Sequence, residues 1–143
     1  MIDRKFFKTD LGFERHKFWA PEMMMVAIYT TNYLVKMGFR CLWTDTVTTV
    51  AEDKLVNRLH DQHNRRVAGD LSVTGWNQAA RDNVEKELDT HFSLLAYVTA
   101  SGKREIAFCH NNGNGWHFHI AVNAKYKLPS FITEPTQQEL AAI

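Results

Sequence analysis

The chain has 143 residues, 45% of them hydrophobic and 12% aromatic, which is enough to bury one core and too apolar for a disordered segment. Seventeen basic residues against sixteen acidic ones leave a net charge of +1, so no electrostatic surplus points to nucleic acid or an anionic membrane surface. Cys41 and Cys109 lie far apart with no CxxC, which excludes a disulfide framework, and no run of about 18 apolar residues is present to span a membrane.

The opening stretch, MIDRKFFKTDLGFERHKFW, mixes charges with aromatics and has no apolar run of the secretory type, so synthesis in the cytoplasm is expected. The first strong element is APEMMMVAIYTTNYLVKMG. Pro21 suits a first helical turn and Gly38 a left-handed stop, while Met23, Val26, Ala27, Thr30, Leu34 and Met37 recur at helical spacing. FRCLW (39–43) reads as a short strand, and TDTVTTVAEDKLVNRL as a loop turning into a short helix over Ala51 to Leu59. Strand character returns around Ala68 to Val73. In WNQAARDNVEKELDTHF the spacing of Trp76, Ala80, Val84, Leu88 and Phe92 predicts an amphipathic helix. The last third is β in character: LLAYVTA and EIAFCH flank the turn SGKR, and NNGNG is a second turn leading into WHFHIAV. A loosely held tail is expected from about Pro129. The chain therefore reads as one α+β domain, with two main helices packed on a mostly antiparallel sheet.

The chemistry concentrates in two segments. Side chains alternate across a strand, so Trp116, Phe118, Ile120 and Val122 share the face expected to meet the core, while His117 and His119 share the other. Their Cβ atoms lie roughly 6–7 Å apart along such a strand. An isolated HxH also suits the exposed face of an edge strand. The second segment is HNRRVAGD, where His63 and Asp70 are seven apart; its plainer reading is a solvated basic loop with Asp70 capping, or pairing with Arg65 or Arg66. Two histidines and a carboxylate with a fourth position open form a donor set that zinc favours, and zinc activates water for amide hydrolysis. His60, three residues before His63, is a further but plainer candidate ligand. Cys109 and His110 are adjacent on a strand and face opposite ways, which argues against a thiol–imidazole dyad.

Taken together, H-x6-D followed by HxH on a late strand resembles the LAS metallopeptidases. These include D-alanyl-D-alanine and L-alanyl-D-glutamate peptidases and lysostaphin-like enzymes. Their pattern is approximately SxHxxGxAxD, and His63, Ala68 and Asp70 fall on its positions. HNNGNGWHFH is similar to the second motif of small phage proteins of this kind, with one additional residue. The resemblance runs from about Met23 to Val122 and implies a LAS or hedgehog-like peptidase fold. It further implies zinc held by His63, Asp70 and His119, with His117 as the acid/base or oxyanion group and His110 as a second candidate for that work. The chain departs from the pattern at Asp61 and Arg66, which stand where serine and glycine are usual. It departs again at Asn114 and Trp116, which occupy the places where an acidic base precedes the histidines in ExxH relatives. Arg40, Arg65 and Arg66 are the arginines available to a substrate carboxylate, Arg65 and Arg66 standing nearest the motif.

The resemblance implies a zinc peptidase acting on peptidoglycan peptides, as a phage endolysin released to the cell wall or as a virion component. The alternative is a non-catalytic, metal-binding phage structural or interaction protein on the same scaffold. A nucleic-acid partner is not expected.

Overall fold

The computed structural model describes residues 1–58, 62–111 and 115–124. His60, Asp61, Asn114 and the tail expected from Pro129 lie outside those residues.

A 3-10 turn at Arg4–Phe6 leads into α1 (Asp10–His16), whose first turn is capped by the Thr9 hydroxyl accepting from Gly12 N–H at 3.0 Å. Helix α2 (Pro21–Lys36) begins on its proline and closes where Phe39 N–H donates to the Leu34 carbonyl at 2.9 Å, with Gly38 at φ +78°. Its buried face is Met23, Val26, Ala27, Thr30, Thr31 and Leu34. Met37, expected on that face, is half-exposed because the helix ends one residue earlier. Strand β1 is Trp43–Asp45, later than the FRCLW stretch suggests: the amide of Phe39 is spent on closing α2. Helix α3 (Val50–Leu55), capped by Thr49, is shorter than expected. It gives way to Asn57 at φ +52° and to Arg58, whose amide donates to the Asp53 carbonyl.

Strand β2 (Ala68–Ser72) precedes α4 (Gln78–His91), which is capped by Asn77 and buries Ala80, Val84 and Leu88. After the 3-10 turn Ser93–Leu95 come β3 (Tyr97–Val98), β4 (Arg104–Glu105), β5 (Ala107–Asn111) and β6 (Trp116–Ala121). The expected hairpin around SGKR forms as the two-stranded sheet β3–β4. EIAFCH does not remain one strand, however. Glu105 pairs with Tyr97, whereas Ala107 onward pairs with β6, and the Asp89 carboxylate of α4 accepts both Ile106 and Ala107 amides at the changeover.

The main sheet has the order β1-β2-β6-β5, all antiparallel, so the fold is the mixed helix and antiparallel sheet expected. Register sorts its two faces. Leu71, Phe118, Ile120 and Ala107 share one face and are fully buried in a core that also takes in Val26, Leu34, Val84 and Leu88 of the helices. Trp116, expected among them, is half-exposed at the strand's start, with the Arg81 guanidinium 4.9 Å over its ring. Asp70, Ser72, His117, His119, Phe108 and His110 share the opposite face.

Candidate metal centre

Strands β2 and β6 pair with Asp70 directly opposite His119, and the loop entering β2 carries His63. His63 Nε2 lies 3.2 Å from Asp70 Oδ1, and His119 Nδ1 lies 3.1 Å from the same oxygen. The three side chains are enclosed, at 0%, 9% and 3% exposure for His63, Asp70 and His119. One ligand atom from each falls within 4.8 Å of the other two, so this buried group can hold a metal ion.

What aims the rings is on their far sides. The Nδ1–H of His63 donates to the Thr46 carbonyl at 2.8 Å, and the Nε2–H of His119 donates to Gln62 Oε1 at 2.6 Å. Each outer nitrogen is thus spent on an oxygen acceptor, and the inner nitrogen is left to bond a cation or, without one, to carry a proton toward Asp70. Metal-ligating histidines are oriented in this way by acceptors beyond the ligand shell. With the inner nitrogens deprotonated, two imidazole lone pairs and a carboxylate oxygen converge on one point as acceptors, and a metal cation satisfies them together. The residues therefore fit a metal.

The electrostatics agree with that geometry. Burial pushes His63 down, but the charge and hydrogen bond of Asp70 outweigh it, and its pKa is raised. Burial pushes Asp70 up, yet the charge of His63 and the hydrogen bonds of both imidazoles hold it well below the usual carboxylate range. His119 is lowered, chiefly by burial. A proton on His63 is thus the competitor that a metal displaces. Asp70's second oxygen, Oδ2, has Arg58 Nη2 3.9 Å away, and Arg58 also bonds Asp45 Oδ2 at 2.7 Å and Asp53 Oδ1 at 3.0 Å. Asp45 sits opposite Asp70 in the β1–β2 register, so Arg58 offsets the repulsion of two like charges in facing positions.

The other expected site residues lie around this group. His117 and His110 face each other across β6 and β5, with ring centroids 4.3 Å apart, and both are half-buried. The His110 and His119 rings are 6.5 Å apart. Burial, then the neighbouring His117 and His119, lowers the pKa of His110. Arg65 is half-buried, whereas Arg66 is enclosed at 2% exposure. Arg66 also adopts φ +68°, the left-handed conformation that glycine takes without strain, at the very position where the resembling pattern has glycine. Arg40 is exposed, and His60 lies outside the described residues.

Sequence reasoning missed Gln62, Arg58, Asp45 and the Thr46 carbonyl. Gln62 adjoins His63 and was open to suspicion on that ground alone; a backbone carbonyl leaves no mark in a sequence. A cleft of about 110 Å³ opens beside His119, lined by Gln62, Tyr97, Thr99, Glu105 and Phe108 among others. A larger groove along α4 holds Asp82, Glu85, Asp89 and Lys103 but none of the histidines. No helix among the described residues is long and apolar enough to cross a membrane. Comparison with protein-family models, with curated proteins and with solved structures yields no match to this chain.

Proposed function

We propose that this chain is a zinc-dependent peptidase of the LAS type, cleaving peptidoglycan peptides as a phage endolysin or a virion-associated lytic enzyme. The observation that carries the reading is the convergence of His63 Nε2, Asp70 Oδ1 and His119 Nδ1, with both outer ring nitrogens already held by oxygen acceptors. Two imidazoles and a carboxylate suit zinc better than calcium or magnesium, which prefer oxygen donors. Bound there, zinc supplies Lewis acidity toward an amide carbonyl and brings the pKa of water toward about 7.

The remaining work belongs to the chain's own groups. His117 lies on the same strand face as His119, two residues away, and donates its Nδ1–H to the Gly115 carbonyl at 3.2 Å. Its Nε2 then accepts a proton from attacking water and returns it to the leaving amine. His110, facing it across the strands, shares or relays that proton. Arg65 takes a substrate carboxylate, since Arg66 is enclosed. The cleft beside His119 gives an extended peptide a path past Tyr97 and Phe108.

A second reading has its own support. The three ligands are almost wholly buried, which leaves a peptide little access to an ion held between them. On that reading the protein is a metal-stabilised structural or interaction component. Digestion of bacterial cell walls in a zymogram separates the two. Clearing that a chelator abolishes and zinc restores is expected for the peptidase, with clearing lost in His63→Ala, Asp70→Ala and His119→Ala together with the bound metal. His117→Ala should keep the metal and slow turnover about 10²-fold or more. Stoichiometric zinc without release of peptide ends would overturn the peptidase and leave the structural reading standing.

A further inference from the structure

Two rows of side chains cross the polar face of the main sheet. The inner row is Asp70, His119 and Phe108, and the outer row is Ser72, His117 and His110, each in register on β2, β6 and β5. Asp70 and His119 of the inner row, with His63, form the candidate metal centre. The outer row carries two imidazoles of its own, directly opposite each other, with centroids 4.3 Å apart and planes inclined by 56°. Both are half-buried, where the inner ligands are enclosed, so solutes reach them. The Nδ1–H of His117 is held by the Gly115 carbonyl, which leaves its Nε2 lone pair free to bind. Directly opposed residues on antiparallel strands have Cβ atoms roughly 4.5–5.5 Å apart. Two imidazoles at that spacing can bond one ion at the usual zinc–nitrogen distance of about 2.0–2.1 Å.

We propose that His110 and His117 form a second, weaker cation site, for zinc, nickel or copper, beside the buried His63–Asp70–His119 centre. A pair of imidazoles without a carboxylate selects these ions over magnesium and calcium. The site is the weaker one because it has two protein ligands instead of three and no negative charge. A cation in the inner centre also repels a second ion, since the His110 and His119 rings are only 6.5 Å apart. One consequence rests on the peptidase reading: filling this pair occupies both proposed acid/base imidazoles, so excess metal inhibits the enzyme that the first equivalent activates. The cation site itself does not depend on that reading.

The test is a calorimetric titration of the metal-free, full-length protein with Zn²⁺, repeated with Ni²⁺ and with Mg²⁺. Two equivalents are expected for zinc and nickel, a tight one and a weaker one, and no second equivalent for magnesium. His110→Ala and His117→Ala should each lose the weaker equivalent and keep the tight one, and His110→Gln should do the same while preserving a polar side chain. In the unsubstituted protein, ring ¹⁵N resonances of His63 and His119 should move with the first equivalent, and those of His110 and His117 with the second. A single equivalent that moves only the His63 and His119 resonances, two equivalents retained in His110→Ala, or unmoved His110 and His117 resonances would each overturn the proposal. If the outer pair binds metal while the inner three do not, the zinc peptidase reading falls and this site stands.

Discussion

Asp70 is faced by an imidazole on either side of one oxygen and by a guanidinium near the other. Its burial is tolerable only because cationic or proton-donating partners surround it. The residues that aim those partners matter as much as the ligands themselves. Gln62 is the clearest case, since its side-chain oxygen holds the outer nitrogen of His119. Gln62→Ala should lower metal affinity about 10–100-fold with all three ligands intact, as removal of an outer-shell acceptor commonly does. Competition against a chromophoric chelator measures this, and an unchanged affinity would show that Gln62 does not orient the ring. A second histidine behaves differently. His16 is fully buried against Phe7, Phe13 and Trp19, and burial chiefly lowers its pKa below 6.5. A depressed folded pKa gives stability that is present above the unfolded value and lost as pH falls through the folded one. The melting temperature should therefore drop between pH 7 and pH 5, and His16→Phe should flatten that drop; parallel profiles would rule His16 out as its source.

At the level of elements, β2 does most to assemble the site. It is the inner strand that carries Asp70 toward His119, and its neighbour Gly69 faces the opposite way, into the aromatic core. A Cβ on Gly69 would lie 2.7 Å from Trp19 Cζ2 and 3.0 Å from Trp43 Cζ3. Both indoles are tied down: Trp19 Nε1–H donates to the Ala68 carbonyl, and Trp43 Nε1–H to the Thr31 hydroxyl. Gly69→Ala should thus cost about 1–3 kcal/mol by overpacking, read as a lower denaturation midpoint. It should also weaken metal binding, because Asp70 moves with its strand. A variant as stable as the parent would mean that the two indoles can shift aside. In the turn before β2, Arg66 takes a backbone conformation suited to glycine and buries its side chain.

For the whole molecule, the inner centre joins the loop before β2 to two strands of the main sheet. A metal that binds only this assembled arrangement stabilises the folded state by mass action, about 2.7 kcal/mol at a hundredfold excess over Kd. Saturating zinc should raise the melting temperature, and chelation should reverse the rise. The same linkage sets a pH dependence. The raised pKa of His63 means that a proton contests the site above pH 6.5, so metal affinity should climb as pH rises through that value and beyond. A titration of affinity between pH 5.5 and 8.5 that stayed flat would show that no ligand needs to lose a proton.

Much of this was legible in the residue order. Helical spacing marked α2 and α4, alternation put His117 and His119 together on β6, and the seven-residue step from His63 to Asp70 paired those two as candidates. These are local regularities, set by the helical turn and the strand repeat, and a chain displays them without knowing its neighbours. The meeting of Asp70 with His119 depended on strand pairing between residues 49 positions apart in the chain. The changeover at Ile106 depended on a carboxylate reaching in from α4, and the aim of the His63 and His119 rings on a backbone carbonyl and a glutamine amide. Such contacts are chosen by which surfaces bury one another, and only the assembled tertiary structure makes that choice.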